Sequence, residues 1–283
     1  MAMRENNEGD ANSLAKSKAM AAEGVTDFAY TRYADLASSR VFITGGGSGI
    51  GAYLVHAFAT VGAEVGFVSL SAAGGEALAD AIAAQLGKRP WFRACDIRDV
   101  TALQAAITDF GTDVGAVDCL INNAARDDRH TIDALSVEAW DDSIATNLRP
   151  HFFTAQSVVG AMRTRGHGAI INVGSNSSYL GLSGYPAYVT AKAAIIGLTR
   201  SLARELGPDH IRVNALIPGW VVTERQKALW MKPEAVQECI DAQSLKTLIT
   251  GCDVAEAALF LASRASSMIT GQALIIDGGR IMG

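Results

Sequence analysis

The chain has 283 residues, and 49% of them are hydrophobic, which is enough to bury the core of one large domain. The net charge of −5 argues against a general nucleic-acid surface. No apolar run reaches the ~18 residues that a membrane-spanning helix needs. The four cysteines include no Cys-x-x-Cys pair, and the five histidines show no ligand spacing. We therefore expect a cytoplasmic protein without a structural metal and without nucleic acid or membrane as partners.

Residues 1–30 are rich in Ala, Ser, Asn, Glu and Lys, which is typical of a flexible extension. Residues 31–283 alternate strand-like apolar runs with helical patterns and show no linker. The predicted strands cover residues 40–44, 64–69, 91–95, 118–122, 169–173, 212–217 and 273–276. The predicted helices cover residues 52–61, 74–86, 100–110, 136–165, 188–206 and 253–262. This alternation predicts a single doubly wound α/β domain, a mostly parallel sheet with helices on both faces.

A glycine-rich turn, Gly45-Gly46-Gly47-Ser48-Gly49-Ile50-Gly51, joins the first predicted strand to the first helix. Such a turn is often only a tight connection. Here the strand before it and the helix after it favour an anion site, in which backbone N–H groups bind a pyrophosphate and no Cβ blocks its approach. In parallel sheets the ligand lies outside the carboxyl ends of the strands. Asp96, Asn122, Ser175 and Pro218 follow or end other predicted strands and should share that edge.

Tyr188 and Lys192 are four residues apart in a predicted helix, so their side chains lie on one face. Ser175 ends the preceding strand, and a loop could bring its hydroxyl to the same phenol. A free tyrosine titrates near pH ~10, and a neighbouring cation lowers that pKa. A serine can stabilise charge that develops on a substrate oxygen. The three groups predict proton transfer at a substrate oxygen, although the pair alone could be an ordinary helix face.

Six motifs occur in a characteristic order and spacing. They are Thr44-Gly45-x-x-x-Gly49-x-Gly51, Asn122-Asn123-Ala124, Asn147, Ser175, Tyr188-x-x-x-Lys192 and Pro218-Gly219. Together they resemble the short-chain dehydrogenase/reductase family over about residues 36–283. The resemblance implies an NAD(P)-dependent oxidoreductase with one Rossmann-type domain and a seven-stranded parallel sheet.

The same resemblance implies a role for each matching residue. Tyr188 would be the general base of alcohol oxidation, and Lys192 would lower its pKa and hold the nicotinamide ribose. Ser175 would polarise the substrate oxygen, and Asn147 would hold a water that relays protons from Lys192. The implied cofactor-binding residues are Gly45, Ser48, Gly49, Ile50, Gly51, Ser69, Asp96, Ile97, Asn122, Asn123, Ala124, Tyr188, Lys192, Pro218, Gly219 and Thr223.

Two positions depart from the family pattern. Ala125 stands where a glycine is usual, which adds one methyl group near the cofactor. Ser69 ends the second predicted strand, where NAD-preferring members carry an acidic residue that would repel a 2′-phosphate. No Arg or Lys follows Ser69 closely. The cofactor is therefore expected to be NAD or NADP, with a slight preference for NADP.

Several segments are similar to the aldose 1-dehydrogenase branch, which acts on sugars such as xylose, arabinose and galactose. They are residues 122–130, 147–149, 174–175, 218–226 and 243–246. The substrate loop is expected near residues 220–250. The expected substrate contacts are Ser175, Asn176, Tyr188, Trp220, Arg225 and Gln226. Their many donors and acceptors suit a polyol or sugar, whereas an acyl chain would need an apolar slot.

The sequence leaves two alternatives to oxidation of an aldose to a lactone. One is an NADPH-dependent carbonyl or 3-oxoacyl reductase, and the other is a dinucleotide-binding sensor without turnover. The resemblance further implies a homotetramer, assembled through the helices of Asn147 and Tyr188 and the C-terminal strand region.

Overall fold

The computed structural model describes residues 29–282. Within that range the strands are β1 Arg40–Thr44, β2 Glu64–Ser69, β3 Trp91–Ala94, β4 Cys119–Asn122, β5 Gly168–Val173, β6 Ile211–Pro218 and β7 Ala273–Ile276. The helices are α1 Gly49–Thr60, α2 Ala72–Leu86, α3 Val100–Asp113, α4 Val137–Asn147, α5 Arg149–Arg165, α6 Ser177–Leu180, α7 Pro186–Leu206, α8 Glu224–Leu229, α9 Pro233–Asp241 and α10 Gly251–Ala262. Short 3-10 turns cover Ala34–Leu36, Gly207–Asp209 and Arg264–Ser266.

The strands form one sheet in the order β3-β2-β1-β4-β5-β6-β7, and every pairing is parallel. Helices α1, α2 and α10 cover one face around a core that includes Phe58 and Leu259. Helices α3, α5 and α7 cover the other face, with Phe110 and Met162 buried beneath them. Burial on both faces explains the near-continuous apolar runs of the central strands. The predicted doubly wound, seven-stranded parallel sheet is confirmed.

The predicted long helical region 136–165 is wrong, because the chain forms two helices there. Helix α4 ends at Asn147, Leu148 is non-helical, and α5 begins at Arg149. Pro150 explains the break, since it has no N–H to donate and its ring clashes with the carbonyl four residues before it. Asn147 is therefore the last residue of α4 rather than a residue inside a continuous helix.

Tyr30, the last residue of the predicted extension, lies in the core with 6% of its surface exposed. Its ring lies 5.7 Å from the His56 ring, and its hydroxyl lies 3.8 Å from Cys252 Sγ. The packed domain therefore begins before residue 31. The rest of the predicted extension, residues 1–28, lies outside the described residues.

The registers align the carboxyl ends of the central strands. Thr44 pairs with Asn122, and Asn122 pairs with Asn172 one strand further along. Pro218 pairs with Ile276, so β6 extends one residue beyond its predicted carboxyl end and reaches the same edge. The loops after β1, β4, β5 and β6 consequently meet at one edge of the sheet. Among the described helices, none is both long and apolar enough to cross a bilayer.

Candidate active site

A cleft of about 770 Å³ opens at the carboxyl edge of the sheet. The predicted site residues that line it are Gly45, Ser48, Gly49, Ile50, Gly51, Ser69, Asp96, Ile97, Asn123, Ala124, Ser175, Asn176, Tyr188, Lys192, Pro218, Gly219, Trp220, Thr223, Arg225 and Gln226. Asn122 and Asn147 are not among the lining residues. Within residues 29–282, no group of three or more His, Cys, Asp or Glu side chains is arranged to hold a metal ion.

The glycine turn is shaped by two positions where a side chain would not fit. Gly45 has a left-handed backbone, with φ +68°, and a Cβ there would lie 2.7 Å from Ala124 Cα. A Cβ on Gly51 would overlap the carbonyl oxygen of Gly45. These close approaches fold the turn tightly over the end of β1 and bring the start of α1 to the cleft.

The first turn of α1 fits a phosphate group. In α2, α3 and α4 the side chain of the N-cap residue accepts a bond from a first-turn amide. In α1, as in α5, α6, α7 and α9, the N-cap side chain makes no such bond. The first N–H groups of a helix have no partner within it, and the helix dipole favours an anion there. Together with the tight glycine turn, this start of α1 fits the pyrophosphate of a dinucleotide.

The predicted adenosine end of the cleft contains Ser69 and Asp96. Hydrogen bonds from the Arg98 guanidinium hold the pKa of the Asp96 carboxyl below its usual range. Arg98 also donates to Asp142 Oδ1 at 2.7 Å, which ties this end of the cleft to α4. Ser69 lies against the glycine turn, since a Cβ on Gly47 would come within 2.5 Å of its Oγ.

The two asparagines after β4 differ in their surroundings. Asn123 lines the cleft, and its Nδ2 donates to the carbonyl oxygens of Thr44 and Gly45 at 3.1 Å each. Asn122 is 1% exposed and donates to Asn172 Oδ1 at 3.0 Å. Neighbouring strand and helix residues therefore enclose the Asn122 side chain, and its role in cofactor binding stays a prediction. Asn122 holds adjacent strand ends in register.

Tyr188, Lys192 and Ser175 converge on the middle of the cleft. Tyr188 and Ser175 both line the cleft, and the Ser175 hydroxyl acts to lower the pKa of the Tyr188 phenol. Lys192 Nζ lies 5.7 Å from the centre of the Tyr188 ring. The Ser175 hydroxyl also contacts Ser177 Oγ at 2.9 Å, so α6 supports its position. A donor and a phenol thus stand together where a substrate oxygen could reach both.

In the protein alone the pKa of Tyr188 is governed by burial. Burial raises the pKa of Tyr188 well above its usual value, and the Ser175 hydroxyl only partly offsets this. The Lys192 ammonium is itself buried and donates to Val173 O at 2.8 Å. Burial lowers the pKa of Lys192 to about 7. Its charge is therefore partial at neutral pH.

The Asn147 side chain holds the loop after β4. Its Oδ1 accepts from Arg126 N at 2.8 Å, and its Nδ2 donates to Arg126 O and to Ser143 Oγ. The side-chain amide is thus committed to the protein. In a continuous helix the Asn147 carbonyl would accept from His151 N, but that group donates to Leu148 O at 3.1 Å. Because of the break before α5, the carbonyl oxygen of Asn147 is the atom of this residue that can accept a hydrogen bond from a water.

The substrate end of the cleft is polar and cross-linked. Trp220 Nε1 donates to Gln226 Oε1 at 2.7 Å, and Gln226 Nε2 donates to Asp127 Oδ2 at 3.0 Å. Arg225 pairs with the other oxygen of Asp127 at 3.2 Å. Asn176 is 6% exposed, and its amide donates to Asp277 at 3.4 Å. Asn176 thus lines the cleft but directs its amide into the protein.

Sequence reasoning did not single out several functional candidates. Tyr185 lines the cleft beside Tyr188, with ring centres 5.8 Å apart, and its position three residues earlier on the chain was an available signal. Arg280 also lines the cleft, because it follows the carboxyl end of β7. His151 is completely buried, and burial together with the Lys192 charge lowers its pKa well below the usual value. Nothing in the sequence placed His151 beside Lys192.

A family model described as enoyl-(acyl carrier protein) reductase matches residues 45–280, which include the glycine turn, Ser175, Tyr188 and Lys192. The chain belongs to the short-chain dehydrogenase/reductase family. A probable galactose dehydrogenase of Rhizobium meliloti is 48% identical over 88% of this chain and 97% of its own length. A D-xylose 1-dehydrogenase of Caulobacter vibrioides is 45% identical over 87% of this chain and 97% of its own.

Solved structures of other short-chain dehydrogenases share this fold. A gluconate 5-dehydrogenase of Burkholderia cenocepacia, in complex with NADP and tartrate, superposes with a TM-score of 0.81 at 31% identity. The match covers 88% of this chain and 96% of that one. The family assignment makes the protein an oxidoreductase that acts on a CH–OH group with a nicotinamide cofactor.

Proposed function

We propose that this short-chain dehydrogenase oxidises the anomeric hydroxyl of a cyclic aldose to a lactone. The main support is that Tyr188, Ser175 and Lys192 line one cleft at the carboxyl edge of the sheet. The similarity to a galactose dehydrogenase and a D-xylose 1-dehydrogenase supports the same substrate class. The bound NAD(P) supplies the hydride acceptor.

In this proposal the protein positions the hydroxyl and takes its proton. Ser175 donates a hydrogen bond to the reacting oxygen, and the Tyr188 phenolate accepts the proton from it. With the cofactor bound, Lys192 would hold its ribose hydroxyls and, as a nearby cation, would favour the phenolate. The Asn147 carbonyl holds the water that returns the proton to solvent. The start of α1 binds the pyrophosphate.

A carbonyl or 3-oxoacyl reductase is the alternative chemistry for the same fold. An acyl chain requires an apolar slot. The cleft presents the charged residues Asp127, Arg129, Glu238 and Arg280 beside apolar ones such as Leu182 and Val222, and the charged groups favour a hydroxylated ligand. A sensor without turnover is disfavoured because Ser175, Tyr188 and Lys192 are all present.

The proposed function is tested by offering pentoses and hexoses with each cofactor and recording absorbance at 340 nm. We expect reduction of the cofactor with at least one aldose, and the product should hydrolyse to an aldonate. An enzyme that turns over only ketones or acyl thioesters would be assigned to the reductase alternative.

We propose a modest preference for NADP. Ser69 places a hydroxyl, not a carboxylate, at the end of β2, which removes the repulsion of a 2′-phosphate that an acidic residue at this position would cause. The gluconate 5-dehydrogenase of similar structure was solved with NADP. Comparison of kcat/KM for the two cofactors tests the preference, and a hundredfold preference for NAD would contradict it.

A further inference from the structure

The loop after β4 carries two adjacent aspartates, and only one of them faces the cleft. Asp127 lines the cleft together with Tyr188, whereas Asp128 is not a lining residue and is bound by the Arg126 guanidinium. The Asp127 side chain keeps 22% of its surface exposed. A ligand in the cleft can therefore reach the Asp127 carboxylate.

Two side chains of α8 hold the Asp127 carboxylate in place. Gln226 Nε2 donates to Oδ2 at 3.0 Å, and Arg225 Nε donates to Oδ1 at 3.3 Å. The Gln226 amide is itself oriented by Trp220, which donates to its oxygen at 2.7 Å. Since the Trp220 bond fixes the amide oxygen, the amide NH₂ must face Asp127. The carboxylate is thus preorganised before a substrate arrives.

The bound carboxylate keeps acceptor capacity for a ligand. An ionised carboxylate offers about four acceptor positions and no donor, and the single bond from Gln226 leaves part of that capacity open on Oδ2. A ligand group that binds the remaining acceptor positions of the Asp127 carboxylate must donate a hydrogen bond, as a hydroxyl does. The Asp127 charge also acts on the Tyr188 phenol. Burial is the main reason that the pKa of Tyr188 is raised, and the Asp127 charge raises it further.

We propose that Asp127 determines specificity by accepting a hydrogen bond from the substrate hydroxyl next to the reacting carbon. The inference rests on the proposed oxidation of an aldose and names the residue that selects it. An aldose carries this hydroxyl at C2. A simple ketone or a 3-oxoacyl chain has no donor there and would leave the carboxylate unsatisfied, so such a substrate is rejected.

The test compares the best aldose with its 2-deoxy analogue, using the wild type, Asp127→Asn and Asp128→Asn. We expect the wild type to prefer the aldose by about 10²-fold or more in kcat/KM, because the analogue leaves a polar group unpaired. In Asp127→Asn, kcat/KM for the aldose should fall, whereas kcat/KM for the analogue should change little. The preference for the aldose should therefore shrink to within a few-fold. Asp128→Asn, the matched control, should keep the wild-type preference, and cofactor KM should be unchanged throughout.

A second readout separates this role from a structural one. Because the Asp127 charge raises the pKa of Tyr188, removal of that charge should lower the Tyr188 pKa. The acid limb of the pH profile of kcat for oxidation should therefore move to lower pH in Asp127→Asn but not in Asp128→Asn. If Asp127→Asn does not fold, Gln226→Leu replaces it, since it removes one support of the carboxylate and should weaken the same hydroxyl preference.

Two results would overturn the inference: equal efficiency of the wild type on the aldose and its 2-deoxy analogue, or an unchanged preference in Asp127→Asn. A wild type that oxidises no aldose contradicts the proposed function instead. In that case the comparison uses the hydroxylated substrate that is turned over and its deoxy analogue. A substrate with no hydroxyl beside its reacting carbon would overturn the Asp127 inference as well.

Discussion

Lys192 illustrates how the enclosure of a side chain changes its chemistry. The residue is 1% exposed, and burial lowers its pKa to about 7. An unfolded lysine titrates near pH ~10.4. Between these values the unfolded chain binds more protons than the folded one, so the contribution of Lys192 to the free energy of unfolding rises with pH. At neutral pH its burial is a stability cost on the order of 4 kcal/mol.

This cost predicts that Lys192→Met stabilises the protein while removing activity. Without added cofactor, the Tm of the variant should exceed that of the wild type by several degrees at pH 7. The difference should shrink as pH rises towards 10, where the wild-type lysine is neutral in the folded state and loses its penalty. Thermal unfolding across this pH range measures both effects.

The control is Lys88→Met, which removes an exposed lysine that pairs with Glu64. Its effect on Tm should be small and should not follow the same pH dependence. A Lys192→Met variant that is less stable than the wild type at pH 7 would show that burial of this lysine carries no net cost.

At the residue scale, the sequence predicted the identity of the site residues better than it predicted the burial and the contacts around them. The spacing of Tyr188 and Lys192 and the strand end at Ser175 were local signals, and they predicted which side chains meet. The burial of Asn122 and the raised pKa of Tyr188 depend on residues distant in the chain. Such neighbours as Asn172, 50 residues from Asn122, are known only once the sheet is formed.

At the scale of elements, the joint between β1 and α1 gives the clearest prediction. Gly51→Ala should abolish dinucleotide binding, because the new methyl group overlaps the carbonyl oxygen of Gly45 and displaces the start of α1. The affinity for NAD(P)H, measured by fluorescence titration, should fall by 10²-fold or more, on the order of 3 kcal/mol.

Gly111→Ala is the matched control for that substitution. Gly111 lies in α3, and a Cβ there would meet no atom within 4 Å. Alanine should stabilise the helix by about 0.4–1 kcal/mol and leave cofactor affinity unchanged. Binding of the cofactor by Gly51→Ala with wild-type affinity would show that the turn does not form the pyrophosphate site.

Strands were predicted more accurately than helices. The strands are buried runs of branched and aromatic residues, a signal that is local and survives folding. The break at Leu148 was missed, although Pro150 was visible, because helical residues continue on both sides of it. The break leaves the Asn147 carbonyl without its helical partner. This could be recognised only from the observed bond of His151 N to Leu148 O.

At the scale of the whole molecule, apolar side chains remain exposed on α4, the helix of Asn147, on the following helix α5 and on β7. Trp140 and Phe152 are 36% and 41% exposed, and Leu274 of β7 is 37% exposed. Surfaces of this kind are typical of contacts between protomers. We propose that they join four copies, as the family resemblance implies.

The assembly proposal predicts a tetramer in sedimentation velocity at micromolar concentration. Phe152→Glu places a charge on one of these surfaces and should shift the protein to dimers or monomers. Glu234→Gln on α9, away from these helices, should leave the assembly unchanged. A wild type that sediments as a monomer would contradict the proposal.

The central claim is that the Tyr188 hydroxyl moves the proton during hydride transfer, and Tyr188→Phe tests it most directly. The variant removes one oxygen atom and leaves the ring that packs beside Tyr185. We predict that it binds NAD(P)H as the wild type does and loses about 10²–10⁴-fold in kcat for aldose oxidation. A variant that binds the cofactor and oxidises the sugar within a few-fold of the wild-type rate would contradict the account.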